Sequence, residues 1–373
     1  MRKFWAVLLI VFIVAGLAFV SNVYFGVAQA ADTVNGVIAS DTTWTNANSP
    51  YTLTGNVLVN NGATLTIQSG VTVNLNNNYM MVNGTLVARG SSHEKIYFNN
   101  GQITFTHYSN GWNQGTHSGS IIEYSVLNAD SSSYGLINIE NASPLISSNH
   151  INFEISITGG SPIIFNNNIT PLIYYRMYGQ PPQAYGPPQY AIYGIAIGPF
   201  NGVVDSTAII SDNVITGDFE EACMIVHGGN PTIQRNTITD NVGLGIEISV
   251  SSTSNPTIID NTISSCRNGI SDDNNDASLT FVGNNLQNNS KYNVYWTATT
   301  DLNAESNWWG TTDQSAINNS IYDFNSDFNL GKVTFVPFLT TPNSQAMPNP
   351  NAPIPTLNPS LSTPSPTSIH NPS

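Results

Sequence analysis

Charged side chains are scarce in this 373-residue sequence, where they make up 9% of the chain, against about a quarter in an average soluble protein. Basic residues are the rarer sign, with 9 Lys and Arg against 23 Asp and Glu and a formal net charge of −14. Because an acidic chain repels phosphate backbones, we do not expect nucleic acid as a partner. The hydrophobic content of 40% is sufficient for a packed core and argues against general disorder.

Asn, Ser, Thr and Gly are abundant instead, and many of them belong to a repeat. A phrase of the form S-P-x-I-x-x-N-x-I recurs along the chain at intervals, between key Asn residues, of 18, 46, 23, 25, 23 and 23 residues. A fixed period in the twenties indicates a solenoid, and the alternating apolar residues within each phrase indicate strands. The key residues are Asn149, Asn167, Asn213, Asn236, Asn261, Asn284 and Asn307.

These Asn residues are predicted to be structural. Asn tolerates the left-handed conformation of a sharp corner, and amides stacked from coil to coil can form a hydrogen-bonded ladder. The residue before each key Asn forms a second column, in which Arg235 lies one coil from Asp212 and one coil from Asp260. We therefore interpret Arg235 as a surface charge partner of these carboxylates rather than as a catalytic group.

The chain divides into four segments by composition. Residues 1–31 carry Arg2 and Lys3, an apolar run and small residues before Ala31, which predicts a secretory signal peptide. An uncleaved signal anchor is the alternative, and would be the only contact with a membrane. Residues 32–50 are a lead-in, residues 51–339 the repeat region, and residues 340–373 a Pro/Ser/Thr-rich segment predicted to be a disordered stalk.

The repeat is interrupted once, by an insertion at residues 171–190 that falls inside the interval of 46 residues. Insertions in solenoids form loops on one side, often the binding side. Tyrosine offers a flat apolar surface with a polar tip, suited to sugars or to partner proteins. The alternative is a loop whose Tyr residues pack against the rod. The predicted ligand-binding residues are Tyr174, Tyr175, Tyr178, Tyr185 and Tyr190.

One acidic run, from Asp272 to Asp276, provides candidates for chemistry. Asp272 and Asp273 are a carboxylate pair of the kind used in glycoside hydrolysis, and Asp272, Asp273 and Asp276 are the candidates for a Ca²⁺ site. The run lacks an ordered pattern of the six to eight oxygen ligands that Ca²⁺ requires, so a solvated loop is the simpler interpretation. We predict no bound cofactor, with Ca²⁺ as the alternative.

Several segments resemble surface proteins of the pectate-lyase-like superfamily. The opening coils carry the resemblance through Thr64-Leu-Thr-Ile-Gln-Ser-Gly-Val-Thr-Val and Val82-Asn-Gly-Thr-Leu-Val-Ala, and the closing segment through Asn307-Trp-Trp-Gly-Thr-Thr-Asp. The Asn-x-Ile phrases are similar to the carbohydrate-binding and sugar-hydrolase type of repeat, and the end is similar to prokaryotic, often archaeal, cell-surface proteins. The resemblance implies an all-β, right-handed parallel β-helix, and the repeat period of about 23 residues gives roughly twelve coils over residues 51–339. The sequence differs from polygalacturonase-like enzymes, in which an Asp-Asp pair precedes a His-Gly pair and an Arg-x-Lys motif follows. Here His227-Gly228 precedes Asp272-Asp273, and no Arg-x-Lys follows.

Three functions are compatible with these features. The preferred hypothesis is a secreted or cell-surface protein that binds a glycan or a surface protein without catalysis. A polysaccharide lyase or glycoside hydrolase is the second hypothesis, and a purely structural surface-layer component is the third. Register also places Cys223 and Cys266 two coils apart, about 9–10 Å along the axis, beyond the roughly 7 Å limit for a disulfide. We therefore predict no disulfide between them.

Overall fold

The computed structural model describes residues 32–129, 136–170, 193–198, 206–217, 219, 221–239, 242–250, 254–272 and 278–356. The chain winds through three parallel sheets, so that each strand pairs with its equivalent in the next coil. The predicted right-handed parallel β-helix is confirmed. Strands are numbered along the chain, and the sheets are called I, II and III in the order in which each coil visits them.

Sheet I contains ten strands, one for each coil. The described chain therefore has ten coils with a strand in sheet I, and an incomplete turn at each end. The sequence predicted roughly twelve coils. Its strands are β2 (Thr42–Trp44), β4 (Thr64–Ile67), β7 (Thr85–Arg89), β10 (Ile121–Glu123), β13 (Leu145–Ser147), β16 (Ile163–Phe165), β19 (Ile209–Ser211), β22 (Thr232–Gln234), β25 (Thr257–Ile259) and β28 (Thr280–Val282).

Sheet II follows sheet I in every coil and is made of short strands. It begins with the first half of β3 (Tyr51–Val59), which pairs with both β1 (Asp32–Ile38) and β5. Its strands are β5 (Thr72–Asn74), β8 (Ile96–Asn99), β11 (Ser125–Asn128), β14 (His150–Ile151), β17 (Asn168–Ile169), β20 (Val214–Thr216), β23 (Thr237–Thr239), β26 (Thr262–Ser264) and β29 (Asn285–Gln287).

Sheet III completes each coil and begins with the second half of β3, which pairs with β6. Its strands are β6 (Tyr79–Val82), β9 (Gln102–Phe105), β12 (Leu136–Ile139), β15 (Glu154–Ile157), β18 (Tyr193–Ile197), β21 (Ala222–Val226), β24 (Leu244–Ile248), β27 (Asn268–Asp272), β30 (Tyr292–Tyr295) and β32 (Ile321–Tyr322). The remaining elements are a 3-10 helix (Asn46–Asn48), helix α1 (Gln314–Asn319), and the strand pair β31 (Leu302–Asn303) and β33 (Val333–Thr334).

The core is a stack of aliphatic side chains from all three sheets. In sheet I, register aligns Ile146, Ile164, Ile210, Ile233 and Ile258 in successive coils, and each of these is fully buried. Burial of one such side chain contributes about 1.5–3 kcal/mol. No single coil encloses a core of its own, so the stability of each coil depends on its neighbours.

The seven key Asn residues form one continuous buried ladder, and none is more than 3% exposed. From Asn149 to Asn284, each backbone N–H donates to Oδ1 of the next Asn at 2.7–3.0 Å. Each Nδ2 donates to the same Oδ1 at 3.0–3.1 Å. Nδ2 of every key Asn also donates to a sheet I carbonyl of the preceding coil at 2.9–3.0 Å. These bonds satisfy the amide in a site that excludes water.

The conformational reason given above for these Asn residues is wrong. The left-handed residue is the one before each key Asn, as at Ser148 (φ 56°), Asp212 (φ 59°) and Arg235 (φ 51°). The left-handed backbone is therefore carried by the neighbouring column. Asn is required at its own position because its side chain donates two hydrogen bonds from Nδ2 and accepts two at Oδ1, as at Asn236.

Two segment boundaries also differ from the prediction. Residues 32–50, expected as a lead-in, already contain β1 and β2, and these pair in register with β3 and β4, so this segment belongs to the rod. Residues 340–356, expected at the start of a disordered stalk, pack against the rod, and Ala346 is fully buried. We call residues 340–356 the strap. Residues 1–31 and 357–373 lie outside the described residues, and no helix within those described is long and apolar enough to span a membrane.

Candidate functional site

Charged and aromatic side chains lie on the outer face of sheet III between β15 and β32, interrupted by the buried apolar side chains of Ala196 and Ile225. On this face Glu247 aligns with Ser271 in the next coil, Ser271 with Tyr295, and Tyr295 with Tyr322. Side chains in such a column are about 4.8 Å apart along the rod. We call this surface, from Glu154 to Tyr322, the sheet III face.

A second row runs along the edge at which the chain enters these strands. Glu221 directly precedes β21, Arg267 precedes β27, and Lys291 precedes β30. The backbone N–H of Lys291 donates to the carbonyl of Arg267 at 2.9 Å, which fixes their adjacent positions. All three side chains are exposed. The row thus changes from acidic to basic along the rod.

The environment of Glu154 perturbs the titration of its carboxyl group. Burial raises its pKa to about 7, and a hydrogen bond from the backbone of Tyr193 acts in the opposite sense. The hydroxyl of Tyr193 donates to Oε2 of Glu221. Burial, the bond to Glu221 and the nearby charges of Glu221, Glu247 and Glu154 all raise the pKa of Tyr193. Three carboxylates therefore surround one phenol.

A pocket opens beside this acidic group, over β24, β27 and β30. Its walls combine two carboxylates with two basic side chains and one aromatic ring. The lining residues are Leu244, Glu247, Arg267, Asn268, Ser271, Asp272, Lys291 and Tyr295. Such a set offers hydrogen-bond acceptors, donors and a flat apolar surface within one concavity.

Three tyrosines extend the pocket toward the end of the rod. The rings of Tyr295 and Tyr322 stack with centroids 4.8 Å apart, and Tyr292 lies 5.5 Å from Tyr322 and 5.7 Å from Tyr295. Nζ of Lys291 lies 5.3 Å from the Tyr292 ring and 5.8 Å from the Tyr295 ring. These rings are half-buried, so their faces form part of an accessible surface.

Of the residues predicted to carry chemistry, Asp272 lies in this pocket, where it is 2% exposed. Asp273 and Asp276 lie outside the described residues. So do Tyr174, Tyr175, Tyr178, Tyr185 and Tyr190. The insertion that contains these tyrosines nevertheless connects β17 to β18, so it enters the sheet III face at Tyr193. Among the described residues, no three His, Cys, Asp or Glu side chains are grouped as a metal site would require.

Glu154, Glu221 and Glu247 were not predicted as site residues. A sequence signal exists for Glu247, because Gly-Ile-Glu-Ile places a charged residue at the outward position of a strand with apolar neighbours. Glu154 begins an equivalent strand, Glu-Ile-Ser-Ile. Aligning the third strand of successive coils would have placed both carboxylates on one outer face.

Arg235 has the structural role expected from its column, with an ion pair to Asp212 and a charge that, without a direct contact, opposes the rise that burial causes in the pKa of Asp260. Its Nε and a terminal nitrogen donate to both oxygens of Asp212, at 2.9 and 2.7 Å. Asp260 instead accepts a hydrogen bond from Nδ2 of Asn343 in the strap, at 2.8 Å. Cys223 and Cys266 are buried, and no disulfide joins them in the described part of the chain.

Comparison with protein families gives one match. Residues 193–309 match the family described as the right handed beta helix region. The matched range begins at the first residue of β18 and includes most of the sheet III face, with β21, β24, β27 and β30. The curated proteins gave no significant match, and neither did the solved structures. The match agrees with the fold and carries no information about activity.

Proposed function

We propose that the protein is a secreted or cell-surface β-helix that binds a polysaccharide along the sheet III face. The observation that supports this most directly is the pocket of Glu247, Asp272, Arg267 and Lys291, continued by the stacked rings of Tyr295 and Tyr322. Carboxylates accept hydrogen bonds from sugar hydroxyls, and tyrosine rings present flat apolar faces for sugar rings. The predicted signal at residues 1–31 supports the extracellular location.

The charge balance favours a neutral or amino-bearing glycan over a polyuronate. Three carboxylates with some exposure lie on the face or along its edge, at Glu154, Glu221 and Glu247, with Asp272 almost fully buried beside them, against the two cations Arg267 and Lys291. The whole chain carries a net charge of −14. A polyanion would be repelled over most of this surface.

Binding is tested by titrating the protein with a neutral β-glucan, a chitosan oligosaccharide and polygalacturonate, using calorimetry. We expect binding to one of the first two glycans, weakened about tenfold or more by Tyr295→Ala, which corresponds to about 1.4 kcal/mol. Tyr79→Ala is the matched control, because Tyr79 is an exposed tyrosine at the other end of sheet III. Equal losses in the two variants would contradict the proposed site.

The insertion provides a separate test of the same face. Replacing Tyr174, Tyr175, Tyr178 and Tyr185 together with Ala is expected to abolish or strongly weaken glycan binding while the melting temperature is unchanged, because the insertion joins the face at Tyr193. Unchanged binding would show that these tyrosines do not contact the glycan, and the proposed site would then consist of the pocket and the tyrosines beside it.

Glycoside hydrolysis is a second candidate, and Glu154 is the observation that favours it. A carboxyl group with a pKa of about 7 is partly protonated at neutral pH and is suited to donate a proton to a leaving glycosidic oxygen. Glu221, two coils from Glu154, would then remove a proton from the attacking water. Incubation with the three glycans, with and without Ca²⁺, measures product formation. Activity that disappears in Glu154→Gln would establish hydrolysis, and absence of product with every glycan would exclude it for those substrates.

A further inference from the structure

The outer surface of sheet I is built like a protein interior. In β13 both Leu145 and Ile146 are buried, although neighbouring residues of a strand point to opposite faces. Ile146 belongs to the core of the rod. Leu145 belongs to a separate outer cluster with Ile121, Ile163 and Phe165. If the outer face of sheet I were exposed to solvent, polar residues would be expected at these outward positions.

The strap covers this outer cluster. Ala352 and Ile354 pack against it, together with Trp112 and Val87. The strap leaves the end of the rod at Leu339, whose backbone N–H donates to the carbonyl of Asn307 at 3.0 Å. It then runs back toward the amino-terminal coils, first along the corner between sheets I and II, where it contacts Asn285, Thr262 and Asp260, and then over β10, β13 and β16 of sheet I. We call this surface the sheet I groove.

Polar contacts set the register of the strap at three positions, Asn343, Ala346 and Asn349, and the carbonyl of Ala346 accepts from the hydroxyl of Thr262. Asn343 donates from Nδ2 to Asp260 at 2.8 Å and from its backbone N–H to Oδ1 of Asn285 at 2.8 Å, and its carbonyl accepts from Asn285 at 3.0 Å. Farther along, the backbone N–H of Asn349 donates to Oδ1 of Asp212 at 3.0 Å. Asp212 is held independently by Arg235, so this acceptor is part of the rod itself.

The composition of the strap is typical of a peptide ligand. Five prolines lie within residues 340–356, and proline fixes φ and lowers the entropy lost when an extended segment binds. Domains that recognise proline-rich segments use this preorganisation, with apolar grooves and few polar anchors. The sheet I groove likewise combines an apolar surface with a few polar anchors, which here are carboxylate and amide groups.

We propose that the sheet I groove is a binding site for extended proline-rich peptides and that the strap is its resident ligand. The anchors select an Asn at the Asp260 and Asn285 position and an Ala-Pro-Ile sequence at the Trp112 end. Because the strap is covalently attached, its effective concentration is high and it excludes a competing peptide. Cutting the connection to the rod makes the groove available for exchange.

The test uses the folded full-length protein with a site-specific protease sequence inserted between Thr341 and Pro342, which are both exposed. Cleavage converts residues 342–373 into a non-covalent fragment. We expect this fragment to co-elute with the rod and to be replaced by a fluorescent peptide of residues 342–356, in saturable one-to-one binding measured by anisotropy. The uncleaved protein is expected to bind the peptide at least tenfold more weakly.

Two controls make the result specific. A peptide with Ala352→Glu and Ile354→Glu is expected to bind the cleaved rod at least tenfold more weakly than the natural sequence. In the full chain without the insertion, the same two substitutions are expected to increase uptake of the natural peptide at least tenfold. Loss of the fragment without rebinding, equal uptake before and after cleavage, or dimerisation of the rod through the bare groove would overturn the proposal.

Discussion

The outer face of sheet I carries Ile, Leu and Phe at β10, β13 and β16 beneath the strap, whereas the outer face of sheet III carries Glu247 and Tyr295 beside an open pocket. Both faces belong to the same coils and share the same core. The difference shows that the same coil can present an apolar surface packed under a chain segment on one sheet and a polar pocket on another.

The largest loss of stability is expected from truncating a buried side chain on the outer face of sheet I. Leu145→Ala is expected to reduce the free energy of unfolding by about 2–5 kcal/mol, because Leu145 is fully buried between the sheet and its covering residues. Ser156→Ala, on the outer face of sheet III in the same coil, is expected to cost about 0.5 kcal/mol or less. Denaturant unfolding measures both. Equal costs would remove the distinction between the two faces.

A somewhat smaller effect is expected at the contact between rod and strap. Asp212→Ala removes the acceptor for Arg235 and for the backbone N–H of Asn349, and is expected to cost about 2–3 kcal/mol. It should also expose the strap to proteolysis. Asp212→Asn retains one acceptor oxygen and is expected to lose less. If both variants resist limited proteolysis as well as the natural chain does, Asp212 does not anchor the strap.

Glu154 gives a pH-dependent effect on the sheet III face. Its folded-state pKa of about 7 lies above the ordinary value of 4.5, so the folded chain keeps a proton that the unfolded chain releases. The stability from this group is therefore complete below about pH 4.5 and is lost as pH rises to about 7. Glu154→Gln stays neutral and is expected to be about 1–2 kcal/mol more stable than the natural chain above pH 7.

The unfolding free energy of both proteins, measured from pH 4 to pH 8, checks this expectation. Subtracting one curve from the other removes the titration of all other carboxyl groups. A difference that is constant across this range would show that Glu154 titrates normally and would weaken the hydrolytic hypothesis.

The parts of the fold that depend on local repetition were predictable. The interval between Asn213, Asn236 and Asn261 specifies one coil, and the alternation around each phrase specifies which residues enter the core. The column before the key Asn also paired Arg235 with Asp212 correctly. The left-handed backbone of this column was not predicted. Asn is the usual non-glycine residue in that conformation, and the key Asn directly follows each residue of the column, so the conformation was attributed to the Asn.

The parts that depend on contacts between distant segments were missed. The strap was assigned to a disordered stalk because its proline content resembles that of linkers. The surface that the strap covers could have been inferred from phrases such as Pro-Leu-Ile and Pro-Ile-Ile-Phe. Adjacent apolar residues in a strand point to opposite faces, so both faces of that strand must be covered. Glu154 and Glu247 are 93 positions apart in the chain, and only the stacking of coils brings them to one surface. Asp272 was selected from its acidic run, and the structure places it in the pocket with Glu247.

Hydrogen–deuterium exchange of the full chain with and without a bound glycan tests the central claim most directly. The account predicts added protection in β21, β24, β27 and β30 and no change in β13, β16, β19 and β22, because the ligand occupies the sheet III face while the strap keeps the sheet I groove filled. Protection confined to the sheet I strands, or spread equally over both sheets, would contradict it.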